Sequence, residues 1–277
     1  MKCNVKEKFE LTKKVAIITG GAGLLGQKHA EAIAEFGGIP ILLDIDDETG
    51  IKKSDIISSE FQVNCEFIHC DITNESQILN VRDVLLSKIG HIDILINNAA
   101  IDPKVEENLS NNYSRLENFP IDQWNLELAV GLTGSMLCSK VFGLEMAKNG
   151  KGVILNISSD LGIIAPDQRL YKKNGLPDDK QPVKPITYSV IKHGLIGLTK
   201  YLATYWADKG VRVNSISPGG VYTNQGSEFV QRLTNLIPLS RMAQENEYKA
   251  AIIFLVSDAS SYMTGANLVI DGGRSCW

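Results

Sequence analysis

The 277-residue sequence predicts an α/β fold in which a doubly wound parallel sheet carries helices on both faces, built as a single domain. Three observations predict it: short apolar runs recur along the chain, segments with helical periodicity separate them, and the alternation continues almost to the C-terminus. No internal repeat or low-complexity tract interrupts the pattern. Residues 1–277 are therefore expected to form one folding unit.

The apolar runs are the predicted strands. Each is five to seven residues long and nearly continuous in apolar character, which is typical of parallel strands buried on both faces. They are VAIIT (15–19), IPILLDI (39–45), CEFIHC (65–70), IDILIN (92–97), GVILNIS (152–158), VRVNSIS (211–217) and NLVID (267–271).

Two of the intervening segments show clear helix boundaries. LLGQKHAEAIAEFG (24–37) ends at the Gly37-Gly38 pair, and NESQILNVRDVLLSKIG (74–90) begins with an Asn cap and ends at Gly90. Because each segment follows one predicted strand and precedes the next, the strands are expected to run parallel.

Long polar segments break this rhythm and are predicted to be loops on the substrate side of the sheet. Residues 101–120 and 160–186 are rich in polar residues, Pro or Asn, and both follow the carboxyl end of a strand, where open α/β sheets bind ligands. Residues 222–240 follow a third strand in the same way.

Charge and composition exclude several kinds of partner. A net charge of −4 and a pI near 5.7 provide no electrostatic surface for nucleic acid or an anionic membrane. The N-terminus has no signal-peptide pattern, and no run reaches the roughly 18 apolar residues of a membrane span, so the cytoplasm is the expected location. The five cysteines have no metal-ligand spacing, which predicts free thiols and no metal site.

The segment TGGAGLLG (19–26) lies between the first strand and the first helix, which is the context of a dinucleotide-binding loop. Glycines at 20, 23 and 26 would allow a tight turn and bring backbone N–H groups close to a pyrophosphate at the helix N-terminus, with Leu25 beside them. A glycine-rich turn without a ligand is the alternative.

Asp44 is the predicted determinant of cofactor choice. It ends the second strand 18 positions after Gly26, close to the spacing of about 20 expected for an acid that accepts the ribose 2′-OH. Its charge would repel a 2′-phosphate, and no Arg or Lys lies in the loop or directly after Asp44, so NAD(H) is favoured over NADP(H). Asp71, with Ile72 after it, could reach the adenine; an Asx cap explains Asp71 almost as well.

Tyr188 and Lys192 in TYSVIKHG are four residues apart and fall on one helix face. An ammonium group stabilises a neighbouring phenolate and lowers the phenol pKa from its usual value of about 10, which makes Tyr188 a candidate acid or base. A single pair of this kind is more often a helix-surface pair.

Further motifs accompany the pair: NNAA (97–100), NISS (156–159) and SPGGVYT (217–223), each at the end of a predicted strand. With the glycine loop, they make the chain resemble the classical short-chain dehydrogenase/reductase family over nearly its full length. The resemblance implies that Ser159 hydrogen-bonds the substrate oxygen and that Tyr188 exchanges its proton. It also implies that Lys192 holds the nicotinamide ribose. The resemblance further implies that the rest of the Rossmann-like cofactor site is lined by Asn98, Ala99, Ala100, Val221 and Thr223.

The glycine loop and one helix depart from the family pattern. Classical members carry Thr-Gly-x-x-x-Gly-x-Gly, where this chain has Leu24, and its spacing instead matches the extended branch of nucleotide-sugar epimerases and dehydratases. The sheet-like sequence runs to Asp271 and leaves no room for that branch's second domain, so a classical enzyme with a variant loop is expected. Gly131 stands where the family has an Asn for proton relay, and it provides either main-chain groups or a local bend.

The third departure is the gap of 29 positions between Ser159 and Tyr188. Between Asp167 and Lys184 the inserted segment carries five basic residues against three aspartates, a net charge of +2. Such a segment at the mouth of an active site favours a polar or anionic substrate. A solvated surface loop or a subunit contact explains it equally well.

These observations predict an NAD(H)-dependent oxidoreductase that transfers a hydride between nicotinamide and an alcohol or ketone carbon of a small, polar substrate such as a sugar, polyol or sugar nucleotide. Two alternatives stay open: an epimerase or dehydratase that retains its NAD, and a non-catalytic NADH-binding regulator. The resemblance also implies a homo-oligomer, either a tetramer or a dimer, formed through the helix patterns at 121–149 and 187–207.

Overall fold

Short apolar runs become the strands of one sheet, and the segments between them become its helices. The computed structural model describes residues 4–101 and 113–277. The strands of these residues are β1 (Val15–Thr19), β2 (Ile39–Asp44), β3 (Glu66–His69), β4 (Ile94–Asn97), β5 (Gly152–Ile157), β6 (Val211–Pro218) and β7 (Asn267–Ile270). The helices are α1 (Leu24–Glu35), α2 (Asp47–Phe61), α3 (Glu75–Lys88), α4 (Ile121–Leu128), α5 (Ser135–Lys148), α6 (Ile186–Tyr205), α7 (Ser227–Thr234) and α8 (Lys249–Val256).

The strands pair in the order β3-β2-β1-β4-β5-β6-β7, and every pairing is parallel. From β1 the chain first builds outward through β2 and β3, and it then returns to the other side of β1 with β4. The order therefore reverses between β1 and β4, and open α/β sheets bind ligands at the carboxyl ends of the strands beside such a reversal. The predicted fold class, a Rossmann-like doubly wound domain, is confirmed.

Two apolar cores lie on opposite faces of the sheet. In β1, Ala16 and Ile18 belong to the core that includes α1 and α8, whereas Val15 and Ile17 belong to the core that includes α3 and α5. Successive side chains of a strand point to opposite faces, so a strand covered on both sides must be apolar at every position. All five residues of β1 are buried for this reason.

The two edge strands differ from the prediction of fully buried strands. In β3 the first three residues are half-buried and His69 is exposed, and β7 is also only partly buried. Each edge strand has one free side, which leaves room for polar residues such as Glu66 within an apolar run.

The predicted helix boundaries are close to those observed. Asn74 caps α3 by accepting a hydrogen bond from the Ser76 N–H, as the sequence indicated. The chain leaves α1 and α3 through glycines with positive φ, +77° at Gly37 and +92° at Gly90.

A stretch of continuous helix, Ile121–Lys148, contains an 18-residue window with the mean hydropathy of a membrane span, 1.2, and half of that window is buried inside the protein. In α5 the side chains of Cys138, Phe142 and Met146 are completely buried in the core of the sheet. In this structure the stretch is a core helix.

The predicted long loops contain more regular structure than expected. Residues 222–240 include α7, so this segment is a helix with short connections rather than a loop. The 160–186 segment contains three short 3₁₀ turns, and Gln181, which is only 8% exposed, bonds through its side chain to the backbone at Lys173 and Leu176. Most of the 101–120 prediction lies outside the described residues.

Candidate active site

The glycine loop passes very close to its neighbours. Gly20 has a φ of +64°, and a Cβ on it would lie 2.8 Å from the Ala99 Cα. A Cβ on Gly26 would lie 2.1 Å from the Gly20 carbonyl oxygen. Gly23 is the N-cap residue of α1, and no side-chain hydrogen bond caps that helix. The helix therefore presents its first N–H groups, with their partial positive charge, to a ligand beside the loop.

A cleft of about 490 Å³ opens beside this loop at the carboxyl ends of β1, β2 and β4. Most of the predicted cofactor-binding residues line it: Gly20, Gly23, Leu25, Asp44, Asp71, Ile72, Asn98, Ala99 and Ala100. Gly26 lies under the loop, where its missing side chain allows α1 to approach. The close backbone approach and the uncapped helix fit the phosphates of a dinucleotide, which bind to such N–H groups.

Asp44 is held in this cleft by backbone groups. Its carboxylate accepts hydrogen bonds from the Ala22 N–H at 3.0 Å and the Ile45 N–H at 2.8 Å. The Asp44 side chain therefore has a fixed position between the glycine loop and the end of β2, where a ribose would meet it.

Lys53 on α2 is a cation near the cleft that the sequence pattern does not reveal, because it lies nine positions after Asp44. Its Nζ donates to the Ala22 carbonyl at 2.7 Å and to the Gly23 carbonyl at 3.2 Å. Burial lowers the pKa of Lys53, while the nearby Asp44 charge opposes that shift. The ammonium thus stabilises the glycine loop from outside.

Asp71 forms a local turn with Thr73, which is close to the Asx-type arrangement that the sequence offered as the alternative to adenine binding. Its carboxylate accepts hydrogen bonds from the Thr73 N–H at 2.9 Å and the Thr73 hydroxyl at 2.7 Å. The N-cap of α3 is nevertheless Asn74, not Asp71. Asp71 also lines the cleft, so the turn orients its carboxylate there without excluding a ligand.

Lys192 and Tyr188 lie on the first turns of α6, beside the carboxyl end of β5. Lys192 is 4% exposed, and its Nζ donates to the Ile157 carbonyl at 2.8 Å and lies 5.6 Å from the centre of the Tyr188 ring. Ser158 donates its hydroxyl hydrogen to the Lys192 carbonyl at 2.8 Å. Ser159 follows directly, so these contacts bring the predicted catalytic serine and the Tyr–Lys pair to the same end of the sheet.

The inserted segment reaches this pair. Lys184, near its end, lies with Nζ 4.2 Å from the centre of the Tyr188 ring, within the range of a cation–π contact. The sequence showed a basic insertion but no signal for which residue would approach the tyrosine.

Gly131 lies in a π-helical turn, Ala129–Gly134, between α4 and α5. A Cβ there would lie 2.8 Å from Ile191 Cγ2 on α6, and the Gly131 carbonyl accepts the Ser135 hydroxyl at 3.0 Å. The helix is therefore locally distorted, as one of the two interpretations expects. The Gly131 carbonyl is used by Ser135, and a role of main-chain groups in proton relay stays a prediction. An asparagine at this position would collide with α6 next to Lys192.

Val221 and Thr223 do not line the 490 Å³ cleft. They follow β6, where Gln225 holds the segment by donating to the Val221 carbonyl and accepting from the Thr223 N–H. Their contact with a carboxamide stays a prediction.

The cysteines of the described residues are free thiols. Cys65, Cys70 and Cys138 are buried and Cys276 is exposed. Burial raises the pKa of Cys70 to about 11 and that of Cys65 to about 12, so both are unreactive thiols at neutral pH. No group of three potential metal ligands comes together within residues 4–101 and 113–277.

Residues 14–171 match a protein-family model described as short chain dehydrogenase, and residues 180–275 match one described as enoyl-(acyl carrier protein) reductase. The first match covers more than half of the chain. This protein belongs to the short-chain dehydrogenase/reductase family. Its fold and its chemistry are therefore those of a family of oxidoreductases that bind nicotinamide cofactors.

Two relatives that match this chain over nearly its full length are dehydrogenases of small polyols. It is 31% identical to the D-threitol dehydrogenase of Mycolicibacterium smegmatis over 270 residues, covering 96% of this chain and 94% of that protein. It is 32% identical to the NAD-dependent glycerol dehydrogenase of Listeria innocua over 273 residues, covering 96% and 95%.

Solved structures of similar dehydrogenases contain either cofactor. A short chain dehydrogenase from Leptospira borgpetersenii with bound NAD⁺ is 33% identical, with a TM-score of 0.83 and coverage of 99% of this chain and 97% of that one. A gluconate 5-dehydrogenase from Burkholderia cenocepacia in complex with NADP and tartrate is 25% identical, with a TM-score of 0.85 and coverage of 99% and 100%.

Proposed function

We propose that this dehydrogenase uses NAD(H) to interconvert an alcohol and a carbonyl group on a polyol or sugar-like substrate. The observation that carries the proposal is the buried Lys192, bonded to the end of β5 and facing the Tyr188 ring, next to Ser159 and at the edge of the sheet that bears the dinucleotide cleft. The polyol and sugar-acid relatives support the substrate class.

The chemistry divides between the cofactor and four side chains. A nicotinamide cofactor bound in the cleft would supply the hydride acceptor that is needed when the substrate C–H bond breaks and a carbonyl carbon forms. Tyr188 accepts the proton of the alcohol oxygen, and Ser159 hydrogen-bonds that oxygen. The ammonium groups of Lys192 and Lys184 near the Tyr188 ring favour the phenolate that accepts the proton.

The preference for NAD(H) rests on Asp44. Its carboxylate is fixed by the Ala22 and Ile45 N–H groups and would meet a 2′-phosphate as a like charge. Lys53 is the nearby cation, and its ammonium already bonds to two carbonyls of the glycine loop. A 2′-phosphate would have to compete with those bonds.

A product-identified screen tests the function. The purified protein is incubated with NAD⁺ or NADP⁺ and a panel of polyols, aldonic acids and secondary alcohols, and reduced cofactor is measured by absorbance. We expect turnover with NAD⁺ and at least one polyhydroxylated substrate, and much slower turnover with NADP⁺.

The same screen separates the alternatives. Sugar interconversion without net NADH formation would indicate an epimerase or dehydratase that retains NAD. Stoichiometric NADH binding without turnover over the whole panel would indicate a regulator. A consistent preference for NADP⁺ would contradict the role of Asp44.

We also propose that the protein is a homo-oligomer. Large apolar or aromatic side chains are exposed on α5 and α6: Met136, Leu144, Tyr201 and Tyr205. Burial of this surface against a second copy would stabilise a dimer or tetramer, and light scattering coupled to size exclusion would measure the mass.

A further inference from the structure

The C-terminal segment places an arginine in the interior, behind the predicted catalytic serine. After β7 the chain turns through Gly272 and Gly273, whose φ angles are +68° and +89°. The Asp271 carboxylate closes the turn by accepting the Gly273 and Ser275 N–H groups, both at 2.9 Å. The turn directs Arg274 inward, and this residue is only 9% exposed.

Arg274 binds the residue that follows Ser159. Its Nη1 donates to Asp160 Oδ2 at 2.6 Å, and the exposed fractions of the two side chains are 8% and 4%. The other carboxylate oxygen, Oδ1, accepts from the Ser159 hydroxyl at 2.7 Å and from the Leu161 N–H at 2.8 Å. The buried Asp160 carboxylate thus connects Ser159 to Arg274, which lies 114 positions after Asp160 in the chain.

The Ser159 hydroxyl has two conflicting tasks in this arrangement. Its Oγ accepts a hydrogen bond from the Leu161 N–H at 3.2 Å, and its hydrogen points to Asp160. To hydrogen-bond a substrate oxygen on which negative charge develops, the hydroxyl must give that hydrogen to the substrate. An unpaired carboxylate would compete strongly for it and would place a second negative charge near the reacting oxygen.

We propose that Arg274 is a positioning residue for the reaction: by pairing with Asp160, it neutralises the carboxylate that anchors Ser159 and leaves the serine hydroxyl available to the substrate oxygen. Asp160 fixes the location of the serine, and Arg274 balances the charge that this fixation requires. The inference rests on the proposed catalytic role of Ser159.

The negative charge of Asp160 also affects the pKa of a tyrosine to which it is not hydrogen-bonded. Burial, and after it the Asp160 charge, raises the pKa of Tyr248, whose hydroxyl donates to the Gly219 carbonyl. Glu247 and Asp271 act on Tyr248 in the same direction as Asp160, and Arg274 bonds to Asp160. The charged groups that lie over the Tyr188 ring are Lys184 and Lys192. Removing one partner of the Asp160–Arg274 pair leaves one unpaired charge beside Ser159, and we expect that charge to change the pH dependence of the reaction.

The experiment measures kcat, KM and the pH profile of alcohol oxidation for three variants. In Arg274→Met the unpaired carboxylate should lower kcat about tenfold, less than the 10²–10³ for loss of a direct donor. It should also move the low-pH limb, on which activity rises as the proton acceptor loses its proton, up by about half a pH unit, because one added negative charge raises the pKa of that acceptor. In Asp160→Asn the unpaired arginine should move the same limb of the pH profile to lower pH. In Arg274→Lys, which keeps the charge, most activity should remain.

Two further variants separate positioning from folding. Arg212→Met removes another partly buried arginine that bonds to the backbone at Ser257 and Met263, at the opposite end of the sheet. It should lower thermal stability without moving the pH profile. The Asp160→Asn/Arg274→Met double variant carries no unpaired charge and should return the profile to within about 0.2 pH unit of the wild type. Equal profiles in all folded variants would overturn the inference.

A cycle with Ser159→Ala distinguishes this inference from the proposed function. If Ser159→Ala keeps full activity, the proposed role of the serine is wrong. If Ser159→Ala loses most of its activity and Arg274→Met lowers kcat a further tenfold in that background, Arg274 does not act through Ser159. In that case only the positioning inference fails. We expect the further loss to be less than about twofold.

Discussion

The carboxyl edge of the sheet has two halves that are built differently. On the half formed by β1, β2 and β4, the glycine loop packs closely because its glycines have no side chains. Asp44 is held there by the backbone N–H groups of Ala22 and Ile45. On the half formed by β5, β6 and β7, the groups near the proposed reaction are side chains from distant parts of the chain, such as Lys184, Lys192 and Arg274. Added atoms should therefore do most damage in the glycine loop of the first half, whereas on the second half lost side-chain groups should do most.

The largest effect is expected on the β5 half. Tyr188→Phe removes one oxygen and should lower turnover about 10²–10⁴-fold, the usual contribution of a general acid or base. NADH affinity, measured by fluorescence titration, should stay within about twofold because the dinucleotide cleft is unchanged. Surviving turnover would reject Tyr188 as the proton acceptor.

A buried histidine on α1 makes the β1 half sensitive to acid. His29 is 2% exposed, and burial lowers its pKa from 6.5 to about 4, although a contact with Asn98 opposes the shift. The unfolded chain binds a proton near pH 6.5 and the folded chain does not, so stability is lost as pH falls from about 6.5 to 4. The full loss is roughly 3 kcal/mol.

His29→Leu should remove this part of the acid sensitivity, measured by urea unfolding between pH 7 and pH 4. His193→Leu, at an exposed position on α6, is the matched control and should keep the wild-type pH dependence. If His29→Leu loses stability towards acid as steeply as the control does, the histidine is not the responsible group.

A single added methyl group tests the packing of the glycine loop. In Gly26→Ala the new Cβ would overlap the Gly20 carbonyl, so the loop must move, and overpacking of this kind costs about 1–3 kcal/mol. NADH affinity should fall about tenfold or more. Gly197→Ala on α6 is the control, since a Cβ there has no neighbour within 4 Å and should leave NADH binding unchanged.

The smallest effect concerns the choice between the two cofactors. Asp44→Ala should lower the ratio of kcat/KM for NAD⁺ over NADP⁺ about tenfold, because one like charge near a 2′-phosphate is removed. Asp55→Ala, at an exposed position on α2, should leave that ratio as it is. An unchanged ratio in Asp44→Ala would assign cofactor preference to other residues, with Lys53 as the first to test.

Most of the β1 half was predictable. VAIIT and TGGAGLLG are contiguous, and the backbone geometry that such glycines allow is local, so the strand, the turn and the helix start follow from a few neighbouring residues. Lys53 was missed because its contact with the loop depends on how α2 packs. α7 differs from the predicted loop at 222–240, because a position after a strand end predicts a loop but does not exclude a short helix.

The amino-acid sequence alone determined the alternation of strands and helices, the glycine loop, and the four-residue spacing that puts Tyr188 and Lys192 on one helix face. These depend on periods of a few residues, which any local stretch of chain carries. Only the tertiary structure decided that Lys184 approaches Tyr188, that Gly131 makes room for Ile191, and that Arg274 neutralises Asp160 behind Ser159. Those contacts join residues far apart in the chain, and the packing of the sheet against its helices sets their distances.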